Sequence, residues 1–165
     1  MESEHNIVEQ LHAAFPDEEI ESIGAFTEWG SSYPDAAPYR AQLEGRTWTE
    51  LDRAYLVRRS DALGFLGTRQ LVAVLPVYLN AMVEDGVGSP ATEMLTLLLA
   101  KPLAGEDSGL GHRRFNALVE CMTPAQSAAV ASCLAALARQ DPDGSLGRSA
   151  GAAFEGYWNT HLPAA

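Results

Sequence analysis

The sequence predicts an all-α protein, an irregular compact bundle of about seven to nine helices around one central helix kinked at a proline. Three observations predict it. Apolar residues recur at helical spacing in segment after segment, none sustains the period-two alternation of a half-buried strand, and there is no internal repeat. The strongest pattern is Thr68 to Glu84, TRQLVAVLPVYLNAMVE: Leu71, Leu75, Tyr78, Leu79 and Met82 line one helix face, and Val72, Val74 and Val77 make its flanks apolar too. Only Arg69, Gln70 and Asn80 interrupt that surface, so this helix is expected to be the hub on which the other segments pack. Pro76 lies inside it and removes one backbone hydrogen bond, at a cost of roughly 3 kcal/mol in a regular helix, which predicts a kink or a break near Val74.

The elements before the hub can be placed in order. Ser3 caps a first helix with Ile7, Leu11 and Phe15 on one stripe, stopped by Pro16. The acidic run DEEIE at 17 to 21 follows, with Ile20 and Ile23 as its only apolar anchors. Next comes GAFTEWGSSYPDAAPY, whose two glycines and two prolines resist regular structure while its four aromatics carry apolar surface worth burying. Phe26, Trp29, Tyr33 and Tyr39 are therefore expected to wrap the outside of the bundle or to form a patch that a partner covers. Arg40 to Glu44 makes one helical turn closed by Gly45. Thr47 and Glu50 stand at capping-box spacing and start a helix carrying Trp48, Leu51, Tyr55 and Leu56. Ser60 opens a short apolar turn through Leu63, Phe65 and Leu66, and Gly67 with Thr68 opens the hub.

Beyond the hub, Ser89 and Pro90 begin a largely buried helix through Met94, Leu95, Leu97, Leu98 and Leu99 that ends before Pro102. Residues 103 to 111, LAGEDSGLG, read as a flexible loop. Phe115, Leu118, Val119 and Met122 mark an amphipathic helix. Thr123, Pro124 and Gln126 combine a cap, a first-position proline and a capping-box partner, and the alanine-rich helix they start ends at Asp141. A last helix carries Phe154, Tyr157 and Trp158.

A chain of 165 residues fits one domain, 1–165, with an acidic, partly irregular N-terminal third (1–45) packed on a helical core (46–162). Its 47% hydrophobic and 20% charged content is that of ordinary globular proteins. No unbroken apolar run approaches the roughly 20 residues that span a bilayer, and MESEHNIVEQ is acidic where a signal peptide would be basic, so a cytoplasmic protein with no membrane partner is expected. Cys121 and Cys133 sit inside helical apolar patterns and are read as small buried hydrophobes rather than a redox or metal pair.

Charge is unevenly spread. Residues 1 to 45 hold ten acids against Arg40 alone, a net of −9, which leaves −2 for the remainder. Such a field repels phosphate backbones and steers basic partners, so nucleic-acid binding is disfavoured. Arg46, Arg53, Arg58, Arg59 and Arg69 outnumber Glu50, Asp52 and Asp61 in the next stretch. Two roles compete for these arginines: ion pairs that tie the acidic third to the bundle, or a small anion-binding patch.

The order of motifs RTWTEL, DALGFL, LPVYL, RRFNAL and MTPAQSAAVASCLAAL resembles an uncharacterised bacterial family of domains of unknown function, the family numbered six-seven-one-four. The resemblance spans roughly residues 7 to 158 and rests on core and cap residues, among them Trp48, Phe65, Leu75, Pro76, Tyr78, Phe115, Thr123, Pro124 and Gln126. It implies one compact domain and carries no activity.

Chemistry is sparse. Glu9 and His12 share a helix face as an E-x-x-H pair, but di-iron bundles need that pair twice with two further glutamates, so no metal or cofactor is expected. No nucleophile elbow, phosphate loop, H-E-x-x-H or paired C-x-x-C is present. His112, Arg113 and Arg114 form a short basic cluster read as a helix start with solvated charges. The reading these features favour is a non-catalytic protein-interaction module, in concrete form an acidic immunity or inhibitor protein for a basic partner. Its candidate contact residues are Glu18, Glu19, Glu21, Phe26, Trp29, Tyr33 and Tyr39. The alternative is a small enzyme whose site is assembled from scattered groups, with Glu9, His12, Tyr55, Tyr78, Asn80 and His112 the first to inspect.

Overall fold

The computed structural model describes residues 4–21, 25–26, 34–103 and 110–162. Among them are eight α-helices: α1 Glu4–Ala14, α2 Ala36–Leu43, α3 Arg53–Arg58, α4 Thr68–Asp85, α5 Pro90–Leu99, α6 Leu110–Cys121, α7 Pro124–Gln140 and α8 Ser145–Gly156. Short 3-10 turns fill the gaps at Trp48–Glu50, Ser60–Gly64, Gly86–Gly88 and Trp158–His161. No strand is present in the described residues, apart from a single antiparallel bridge between Phe26 and Leu66. The all-α bundle is therefore what the chain forms.

α4 is the hub. It packs against α1, α3, α5, α6 and α7, and twelve of its eighteen residues are buried. The helix runs unbroken through Pro76, so of the kink or break expected near Val74 the break does not occur. Pro76 is itself buried, and packing on five neighbours offsets the lost ladder bond to the Val72 carbonyl. Thr68–Gly88, 21 residues, is also long and apolar enough to cross a membrane, which a count of unbroken apolar residues misses; the rest of the fold covers 61% of its most apolar window.

Local start signals act as the sequence implies where they are self-contained. Thr123 Oγ1 accepts from the Gln126 N–H at 3.2 Å, and Gln126 Oε1 accepts from the Thr123 N–H at 2.9 Å, a reciprocal box that opens α7. Ser89 caps α5 by accepting from the Ala91 N–H at 3.3 Å. Two starts differ. The Thr47–Glu50 box forms, yet it opens only the 3-10 turn, because Leu51 is extended and Asp52 starts α3 by accepting from the Tyr55 N–H at 3.0 Å. α2 begins at Ala36 rather than Arg40: Pro38 falls in the first turn, where its missing N–H has no helical acceptor to serve. Gly45 then ends that segment at φ +63°, a backbone that favours glycine. The Ser3 cap, the expected anchor Ile23 and most of the 103–111 loop lie outside the described residues.

The C-terminal end docks through Trp158, which is fully buried and donates from Nε1 to the Leu99 carbonyl at 2.8 Å. Phe115 and Tyr157 meet it edge to face, with centroids 6.1 and 5.0 Å away.

Candidate functional site

The stretch after α1 is pinned to the start of the helical core at three points. The Ile20 N–H donates to the Arg46 carbonyl at 2.8 Å, Trp48 Nε1 donates to the Phe15 carbonyl at 3.3 Å, and Thr49 Oγ1 donates to Asp17 Oδ1 at 2.8 Å. Ile20 is the buried anchor of this stretch, whereas Glu18, Glu19 and Glu21 are exposed. Beyond Glu21, the Ala25 carbonyl accepts from the Gly67 N–H at 2.9 Å. The acidic run is thus held in place on the bundle rather than trailing from it.

Between this run, the first turns of α4 and the junction of α6 with α7 lies a cleft of about 240 Å³. Glu18, Glu19, Glu21 and Arg69 supply its charge; Phe15, Ile20, Trp48, Val72 and Ala73 supply its apolar wall; Gln70, Gln126 and Cys121 complete the lining. Three carboxylates against one guanidinium leave the cleft negative. The single cation is only loosely engaged: Arg69 lies 3.9 Å from Glu21, and both side chains are well exposed, so their pairing is weak. Cys121 is exposed, which corrects its reading as a buried hydrophobe, since the last residue of α6 turns away from the core at the cleft. Cys133 is fully buried as expected, and burial pushes its thiol far above the ordinary range.

A second cleft, of about 200 Å³, lies on the other side of Trp48 and is lined by His12, Thr49, Leu51, Arg53, Val77 and Asn80. His12 packs on Trp48 at a tilt of 44°, with ring centroids 4.6 Å apart. Arg53 is held by Glu84 and by Asp85, the latter at 2.8 Å. Asn80 Oδ1 is sealed from solvent and has no hydrogen-bond donor among the described residues. The two glutamine and asparagine interruptions of the hub, Gln70 and Asn80, therefore each line a cleft.

The aromatic candidates fall differently from the acidic ones. Tyr39 is fully buried, its hydroxyl 2.9 Å from that of Tyr78, so it is a core residue and corrects the expectation of an outer wrap. Phe26 is half-buried and meets Tyr39 edge to face at 5.8 Å. Tyr39 turns inward because α2 starts early enough to bring it onto Tyr78 of α4, and Phe26 is held by its antiparallel bridge to Leu66. Trp29 and Tyr33 lie outside the described residues.

Of the scattered polar groups, His12 and Asn80 share the second cleft. Tyr78 spends its proton on the Leu56 carbonyl, and His112 contacts the Leu103 carbonyl at 3.3 Å. Among the described residues no group of three or more His, Cys, Asp and Glu side chains has metal-binding geometry. Arg114 is not a solvated charge: it is half-buried and donates to the carbonyls of Leu63, Gly64 and Leu66, satisfying the end of a 3-10 turn, and burial lowers its pKa from the usual value. Among the other arginines, Arg59 pairs with Asp35 at 2.8 Å, an ion pair between the acidic third and the bundle, while Arg69 only approaches Glu21. Arg53 is committed to α4 instead.

Sequence reasoning missed Gln70, Gln126 and Cys121 as lining residues. The signal available for Gln70 was its place as a polar interruption in an apolar helix. Compared with protein-family models, with curated proteins and with solved structures, the chain finds no match.

Proposed function

We propose that the protein is a non-catalytic interaction module, an immunity- or inhibitor-type protein that meets a basic partner in the cytoplasm with the face carrying Glu18, Glu19 and Glu21. The observation that carries this reading is the anchoring of the segment that bears those three carboxylates along the lip of a cleft with an apolar wall. An anchored backbone costs little further ordering on association, and a local excess of one sign steers an oppositely charged partner. The net charge of −11, concentrated near the N-terminus, acts in the same direction at longer range.

The test is capture of partners by the full chain at low and at physiological salt, alongside a variant carrying Glu18→Gln, Glu19→Gln and Glu21→Gln. A basic protein held at low salt, released as salt rises, and lost in the triple variant is the expected result. Retention that ignores both salt and the three substitutions contradicts the proposal, as does the absence of any basic protein among those retained.

A further inference from the structure

We propose that the acidic-lipped cleft is a socket for one arginine side chain presented by the basic partner, a claim that rests on the reading just given and sharpens it. Gln70 and Gln126 carry the argument. Gln70 is 8% exposed and Gln126 7%, and both line the cleft. Gln126 has one end committed, because its Oε1 takes the Thr123 N–H in the capping box; the Nε2 end is the one it has to offer. Gln70 makes no side-chain hydrogen bond among the described residues, and its amide is not sealed in the way Asn80 Oδ1 is. A carboxamide so nearly buried and left without a partner among the described residues is completed by water or by a ligand.

The cleft also limits what that ligand is. Its volume of about 240 Å³ is below the roughly 300–1,000 Å³ of sites for whole small molecules and suits a single anchoring side chain. The wall of Phe15, Ile20, Trp48 and Val72 calls for an apolar shaft, and Glu18, Glu19 and Glu21 set against Arg69 call for a cationic head. Arginine meets both needs better than lysine. Its planar, weakly hydrated fork can donate to a carboxylate and to Gln70 Oε1 together, whereas an ammonium is a compact and strongly hydrated charge. The Gln126 Nε2 donor then matches a backbone carbonyl of the partner.

Cys121 lines the same cleft and is exposed while Cys133 is buried, so alkylation of Cys121 in the otherwise unaltered full chain reports occupancy. The probe is a blocked pentapeptide with one central arginine between glycines, compared with its lysine and norleucine counterparts. The arginine peptide is expected to slow Cys121 alkylation saturably, about tenfold at ten times its Kd, and to shift the Gln70 side-chain amide signals in NMR with the same midpoint. Gln70→Leu keeps the size and removes the amide; measured against its own peptide-free alkylation rate, it is expected to raise the half-protection concentration about tenfold, the weight of one charge-assisted hydrogen bond. Equal protection by norleucine, or an unchanged midpoint in Gln70→Leu, overturns the socket, and equal protection by lysine overturns its assignment to a guanidinium. Partner capture that is lost in the triple glutamine variant while Cys121 stays unprotected by the arginine peptide leaves the acidic face standing and removes the socket alone.

Discussion

Tyr78 has one hydroxyl proton, and it goes to the Leu56 carbonyl at 3.1 Å, so Tyr39 is the donor in the 2.9 Å contact between the two hydroxyls. Both rings are fully buried, and water cannot replace what a substitution removes. Tyr78→Phe deletes two hydrogen bonds and is expected to destabilise the fold by about 1–3 kcal/mol, while Tyr39→Phe deletes one and costs about 0.5–1.5 kcal/mol. Urea denaturation midpoints of the two variants check the order. Asp17 offers a second residue-scale test. The hydroxyls of Thr47 and Thr49 hold its carboxyl below the ordinary value, so it binds its proton less readily folded than unfolded. Its contribution to stability is therefore present above the unfolded pKa of about 4 and is lost as pH falls through the lower folded value. An NMR titration is expected to show Asp17 below a free aspartate and to move it upward in Thr49→Val, since the Thr49 hydroxyl bonds it directly. No movement in Thr49→Val would show that this bond does not hold the segment.

At the scale of elements, α7 and α8 make the most extensive helix pair, and small residues let them approach. Two glycines of α8 have opposite reasons to be there. A Cβ on Gly147 would stand 1.7 Å from the Asp141 carbonyl oxygen, whereas one on Gly151 would sit 3.7 Å from the Ala138 Cβ, an ordinary contact. Gly151→Ala is thus expected to stabilise α8 by up to about 1 kcal/mol through helix propensity alone. Gly147→Ala is expected to destabilise by about 1–3 kcal/mol because backbone has to move. Thermal unfolding of the pair reads the sign directly. These elements also show which local signals a sequence carries. The Thr123–Gln126 box is complete within four residues and was legible; so was the Ser89–Pro90 start. The extent of α2 and the split between the 3-10 turn and α3 were not, because a proline in a first turn and a second cap at Asp52 compete with signals that read equally well.

For the molecule as a whole, the hub was legible because burial on every side leaves a helix apolar on every side, and α4 has that composition. The pinned acidic run was visible only as charge. Its anchors, Arg46, Trp48 and Thr49, are some thirty residues away in the chain, and nothing local announces them. The same holds for the cleft, which gathers Phe15, Trp48, Gln70, Cys121 and Gln126 from four separate regions of sequence. Its one trace in the sequence is the polar interruption of α4. All of these placements depend on α4 holding its position while α1, α3, α5, α6 and α7 lie on it. Native-state hydrogen exchange across residues 71–83 tests that most directly. The amides of this segment are predicted to exchange last, with the denaturant dependence of global unfolding, while the ends of α1 and α5 open earlier; exchange of 71–83 by local opening, at rates matching α1, would contradict a fold built on this helix.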